Sequence, residues 1–259
     1  MEFLNLLFFR RDYTRILHIY PKCTEAYVNL AYAFQLEGSY KKAWNIFTQI
    51  LAISPYCAQA LEGRAVIHYI MKNYFAALMD ISKAVEVEPT NAEYLTNKGV
   101  ICQALNDDIE AIQCYRSAIE KSPTYTIAKF NAANVYFGQK QWEKAAEYYT
   151  KVLETNPKDV DAMVNRSITK NLLTDFEGAL ADLDAALSFK PNAGFILFNR
   201  ANLYSSMGRF EDAEKDYTKV IQLSPGDRMA YLKRGQTLGR QERLGDAMKD
   251  FAHYLATLS

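Results

Sequence analysis

Histidine is scarce, with only His18, His68 and His253 in 259 residues, and none has a cysteine or second histidine at ligand spacing. That argues against the compact His/Cys sets that hold zinc. Four cysteines, Cys23, Cys57, Cys102 and Cys114, do not read as a disulfide framework. Charge of one sign is missing too, since 30 lysines and arginines face 30 aspartates and glutamates. A phosphate backbone is normally met by a basic surplus, so the balance argues against a nucleic-acid partner. No apolar run reaches the roughly 18 residues that would suggest a membrane span, and none is expected. Met1 to Phe9 is apolar, but it lacks a basic leading region and a small-residue cleavage site, and Arg10, Arg11 and Asp12 follow. It reads as structure rather than as a signal peptide. There is no glycine-rich phosphate loop after a strand and no G-x-S-x-G elbow. Acidic residues are frequent on solvated helix faces, where paired acids are ordinary rather than a catalytic dyad. No active site, metal or cofactor is predicted, and the chain is expected not to be an enzyme.

Proline is also sparse, and its few positions are ordered. Pro21, Pro55, Pro89, Pro123, Pro157, Pro191 and Pro225 each lie 34 residues after the one before. A fixed period of this size predicts one supersecondary unit repeated along an axis, each burying its apolar face on its neighbours. Counting from the third residue after each proline gives seven repeats: 24–57, 58–91, 92–125, 126–159, 160–193, 194–227 and 228–259. Apolar residues recur three and four apart in two stretches of each, which predicts amphipathic helices A (about positions 1–14) and B (about positions 18–31). Breakers such as Gly38, Asn106 and Gly208 between them suit a left-handed helix end. Residues after the prolines, such as Thr90-Asn91 and Gly226-Asp227, offer turn and N-cap chemistry. An all-α chain without strands is predicted.

Position 8 is always small: Ala31, Ala65, Gly99, Ala133, Ser167, Ala201 and Gly235. Position 20 is always alanine: Ala43, Ala77, Ala111, Ala145, Ala179, Ala213 and Ala247. Helices approach closely only where side chains are small, so these positions mark the A–B contact. Position 24 is bulky: Phe47, Ile81, Tyr115, Tyr149, Leu183, Tyr217 and Phe251. Together with proline at position 32, this set resembles the tetratricopeptide repeat (TPR) family, over residues 24–259. The resemblance implies a right-handed α-solenoid, a superhelix of helix-turn-helix repeats. Position 4 departs from the family pattern, with Tyr27, Leu61, Leu95, Lys129, Met163, Leu197 and Tyr231 in place of tryptophan. Lys129 and Lys170 stand where apolar residues are expected, so looser packing is predicted in repeats 4 and 5.

Equivalent positions of stacked repeats should lie about 10 Å apart. Cys23 and Cys57 are equivalent, and that spacing exceeds the ~7 Å limit for a disulfide. Cys102 and Cys114 fall on inward positions as small core residues. A reducing compartment follows, most simply the cytoplasm, with cilium and cytoskeleton open by family association. Inward-facing His68 is expected to be a satisfied core residue.

Position 7 is arginine in four repeats and position 23 is aspartate in the same four, giving Arg64 with Asp80, Arg166 with Asp182, Arg200 with Asp216, and Arg234 with Asp250. The others carry Leu30 with Ile46, Lys98 with Cys114, and Ala132 with Tyr148. Each arginine comes with its own counter-charge, so partly buried interhelical pairs are predicted rather than a ligand-binding row.

The resemblance also implies that positions 2, 5, 6, 9, 12 and 13 of helix A form a concave face that binds extended or helical peptides. Position 6 reads Asn29, Gly63, Asn97, Asn131, Asn165, Asn199 and Lys233. A ladder of amides suits pairing with peptide backbone whatever its sequence, and it resembles the asparagine ladder of the O-linked N-acetylglucosamine transferases. Asparagine is also common there in TPRs generally. Ile127, Phe130 and Phe137, then Phe195 and Phe198, then Met229 and Leu232 add apolar residues, with Asn134 and Asn202 among them. Aromatics flanked by amides make a candidate anchor groove; packing of position 5 on the next repeat is the alternative. Family members that grip acidic chaperone tails carry lysine at position 5, whereas here it reads Val28, Glu62, Thr96, Phe130, Val164, Phe198 and Leu232. The carboxylate clamp is missing, so chaperone tails are not the expected partner.

Residues 1–23 fit a B helix without its A partner, with Phe9 at the alanine site and Tyr13 and Ile16 at bulky sites. Phe3, Leu6, Leu7 and Phe8 would be partly uncovered, and no further polar helix follows at Ser259. Both ends look unsealed, which suggests a fragment or association through an end. Three readings remain: a scaffold binding a protein segment around repeats 4–6, the recruiting arm of a larger enzyme or complex, or a self-associating unit.

Overall fold

The computed structural model describes residues 2–256, with side chains from residue 11 onward. Among the described residues every regular element is an α-helix. Two compact units divide the chain, Met1–Ala132 and Ala133–Ser259.

In the first unit α1 (Glu2–Ile19) packs on α2 (Thr24–Leu36). Three hairpins follow: α2 with α3 (Tyr40–Ile53), α4 (Ala58–Ile70) with α5 (Tyr74–Val87), and α6 (Ala92–Ala104) with α7 (Asp108–Lys121). The A helices also touch one another, α2 on α4 and α4 on α6. The boundary between units falls within α8 (Thr126–Gly138). In the second unit α9 (Trp142–Thr155) packs on α10 (Val160–Leu172). Here the hairpins are α10 with α11 (Phe176–Phe189), α12 (Gly194–Ser206) with α13 (Phe210–Leu223), and α14 (Arg228–Arg240) with α15 (Leu244–Ala256). Again A meets A, α10 on α12 and α12 on α14. Each unit is thus a stack of helical hairpins, an α-solenoid arrangement.

Close approach of A and B explains the invariant small residues. The position-20 alanines are all buried, and at Tyr115 and Phe251 the position-24 ring fills the space that glycine at position 8 leaves. A Cβ on Gly99 would lie 2.5 Å from the Tyr115 ring, and one on Gly235 would lie 2.8 Å from the Phe251 ring. The core of the first unit gathers Phe47, Leu61, Ile67 and Ile81, and that of the second Leu183, Ile196, Leu197, Leu203 and Val220.

Position 15 ends every A helix in the left-handed region. Gly38, Asn106 and Gly208 do so at φ 74°, 62° and 73°, and Lys72, Lys140, Thr174 and Glu242 do so at 59° to 62°. Asn91, Asp107, Asp159, Asp175 and Asp227 cap helices by accepting backbone N–H bonds.

Arginine clasps four of the hairpins. Arg64, Arg166, Arg200 and Arg234 each donate two bonds to Asp80, Asp182, Asp216 and Asp250, at 2.5–2.9 Å. The aspartate side chains are only 6–10% exposed. Three of the arginines extend Nη1 to position 25 of the preceding repeat: Arg166 to Thr150 at 3.0 Å, Arg200 to Asp184 at 2.7 Å and Arg234 to Thr218 at 3.1 Å. Lys98 bridges to Glu110 at 2.8 Å instead. Lys170, expected to loosen repeat 5, joins the Arg166 pair with its Nζ 3.0 Å from Asp182. Lys129 is buried and also has a partner. The expectations for Phe3, Leu6, Leu7, Phe8, Phe9 and Ser259 lie outside the described side chains. Tyr13 is half-buried and Ile16 is exposed.

Candidate functional site

In the second unit the candidate residues lie at the C-terminal end of α8 and along α10, α12 and α14. Phe195 and Met229 occupy position 2 of adjacent A helices and stand 48% and 41% exposed. Phe198 is half-buried, its ring edge-on to Tyr217 with centroids 5.6 Å apart. Phe137 is likewise half-buried against Trp142, at 5.0 Å.

The amides here are shared between the outer face and the core. Asn202 Oδ1 accepts from the buried Tyr217 hydroxyl at 2.7 Å, and Asn134 Oδ1 accepts from the buried Tyr149 hydroxyl at 2.6 Å. Both pairs join position 9 to position 24, so asparagine at 9 satisfies the phenol that tyrosine at 24 takes inside. Burial raises the Tyr149 hydroxyl to about 12, with Asn165 acting in the opposite direction. Asn199 Nδ2 donates back to the Phe195 carbonyl at 2.8 Å.

Asn29, Phe130 and Asn131 are half-buried in the first unit. Asn97 is turned to a residue that sequence reasoning did not single out as a site. Its Nδ2 donates to Glu62 Oε1 at 2.9 Å, and the Tyr32 hydroxyl donates to Glu62 Oε2 at 2.8 Å. Glu62 is buried, and desolvation raises its pKa, with Glu93 adding to the rise and the Tyr32 and Asn97 bonds opposing it. The signal was present as an acid at position 5, where the chaperone-binding relatives carry lysine. Gly63, the gap in the asparagine series, has a steric cause: a Cβ there would lie 2.2 Å from the Phe47 ring.

Elsewhere the ionisable groups are absorbed by structure. His68 accepts from Trp44 Nε1 at 3.4 Å, and burial lowers its pKa. Its Nδ1 is buried without a partner, which departs from the fully satisfied core histidine expected. All four cysteines are free, with Cys102 and Cys114 buried. Among the described residues no cluster of three metal-ligating side chains occurs, and no helix is long and apolar enough to cross a membrane.

Residues 127–159 and 195–227 match the sequence model of the tetratricopeptide repeat, and residues 18–123 match that of the coatomer epsilon subunit. No curated protein matches the chain in sequence. Among solved structures, the C-terminal part of a TPR repeat-containing protein from Cytophaga hutchinsonii is 18% identical with a TM-score of 0.76, covering 89% of this chain and 95% of that one. Pseudomonas aeruginosa pilF is 20% identical with a TM-score of 0.70, covering 83% and 96%. YrrB, described as a TPR protein with an unusual peptide-binding site, is 20% identical with a TM-score of 0.56, covering 71% and 95%. At these identities the likeness is one of fold.

Proposed function

The chain is a tetratricopeptide-repeat protein, and from that premise we propose that it is a non-catalytic scaffold whose A-helix face holds a segment of a partner protein. The observation that carries this reading is the pair Phe195 and Met229, large apolar side chains left 48% and 41% exposed at one position of neighbouring helices. Apolar anchors of this kind supply most of the binding energy of a peptide groove, while flanking amides pair with its backbone. Within the second unit the Asn165 and Asn199 amides stand at the same position of successive repeats, in sequence register to do so. An extended or short helical segment fits the repeat spacing. Glu62, at the position of the missing clamp lysine, would repel an acidic chaperone tail. The four free cysteines fit a reducing compartment such as the cytoplasm.

Selection from a random-peptide display library on the immobilised chain tests this. Enriched peptides should bind the parent and lose on the order of tenfold or more in affinity with Phe195→Ser plus Met229→Ser. Unchanged circular dichroism and melting would show that the variant is folded. Equal binding to parent and variant would sink the groove.

A further inference from the structure

Glu62 lies in the wall of a cavity of about 600 Å³ in the first unit. It is 6% exposed, and its two described partners, Tyr32 and Asn97, are neutral donors. Glu88 and Glu93 line the same cavity, and no lysine, arginine or histidine does. An independent feature points the same way. Gln35 lines the same cavity, and its Oε1, just behind the surface, is buried with no hydrogen-bond partner. A buried acceptor left unpaired is costly, and a buried carboxylate without a counter-charge is more so. The cavity therefore has acceptors in excess and negative charge in excess. Tyr32 and Tyr94 add aromatic walls, which attract cations at their faces.

We propose that this cavity receives the guanidinium of an arginine side chain from a partner segment lying along α2, α4 and α6. A guanidinium offers five donors in a flat fork and accepts nothing, which complements a site of carboxylates and an unpaired amide oxygen. Gln59 at position 2, Glu62 at position 5, and Tyr32 and Val66 at position 9 lie on the helix face assigned to peptide binding. The proposal rests on that assignment and gives the partner its chemistry: a basic segment anchored at the first unit.

The test is an NMR titration of the full chain with N-acetyl-arginine N-methylamide, beside its citrulline and lysine counterparts. Saturable shifts are expected at the Gln35 and Asn97 side-chain amides with arginine. Citrulline, of the same shape without the charge, should leave them still, and lysine should bind several-fold more weakly. Glu62→Gln should weaken arginine binding about tenfold, and Glu93→Gln, at an exposed position, several-fold. The second variant keeps the test alive if the first does not fold. Equal shifts with citrulline, equal binding of lysine, unchanged affinity in the folded variants, or no saturable shift up to about 10 mM would each overturn the assignment. Phe195→Ser plus Met229→Ser should titrate like the parent, so failure of the apolar groove and failure of this cavity are read separately.

Discussion

Residues 32–97 and residues 195–229 use the same helix positions for opposite chemistry. In the first stretch, positions 2 and 5 carry Glu93 and Glu62 around a polar cavity. In the second, the same positions carry Phe195, Met229 and Phe198. Beneath this difference the small residues at position 8 and the alanines at position 20 are buried alike in both units. The exposed position-2 residues Phe195 and Met229 can change polarity without disturbing the A–B contact, whereas Phe198 at position 5 packs on Tyr217 and takes part in it.

The hairpin clasps differ as well, and breaking them has the largest expected effect. Asp182→Ala in the second unit strands Arg166 and Lys170 around a buried gap, and should cost about 3–5 kcal/mol in urea unfolding. Lys98→Ala in the first unit removes a pair whose side chains are 23% and 39% exposed, and should cost less than about 1 kcal/mol. Equal losses would show that clasp geometry is not what separates the two.

Asn202→Ala has the next largest effect. It leaves the Tyr217 hydroxyl buried without its acceptor, and roughly 1–3 kcal/mol should be lost. In the first unit the Tyr115 hydroxyl donates to Gln103 instead, so Gln103→Ala should fall in the same range. Restoration of stability by Tyr217→Phe in the Asn202→Ala background would identify the orphaned phenol as the cause.

The smallest effect concerns pH. Burial raises the Glu62 pKa above its unfolded value of 4.5. The native state then binds the proton more tightly than the unfolded chain, so this contribution is full below the unfolded pKa and is lost as pH rises through the folded one. The melting temperature of Glu62→Gln relative to the parent should therefore climb between pH 4.5 and pH 7. A flat difference across that window would show that Glu62 is not desolvated.

Much of the repeat was legible because its contacts recur. Arg166 and Asp182 are 16 residues apart, as are the partners in the other three pairs, so each copy repeats the signal. The Glu62 cluster was not legible in this way. It joins Tyr32, Glu62 and Asn97 at separations of 30 and 35 residues, across three repeats, and nothing in the period repeats it. The helix ends were half legible. Gly38, Asn106 and Gly208 announce the left-handed turn, but Lys72, Lys140, Thr174 and Glu242 do not. There the turn is fixed by hydrogen bonds such as Asn73 N–H to the His68 carbonyl and Asp175 N–H to the Lys170 carbonyl. Closure of the hairpin overrides the residue's own preference.

The third arm of the arginines bears on how the molecule opens. Because Arg166, Arg200 and Arg234 each reach the hairpin before their own, a fluctuation that frees one hairpin in the second unit also unmakes a bond of its neighbour. Such rungs raise the interfacial coupling of a stacked array, so amide protons there are expected to exchange as a block rather than hairpin by hairpin in a native-state exchange measurement. At the matching place in the first unit, Thr48 Oγ1 is buried with no partner. The junction of α3 with α4 lacks the rung, and opens there with less held in common.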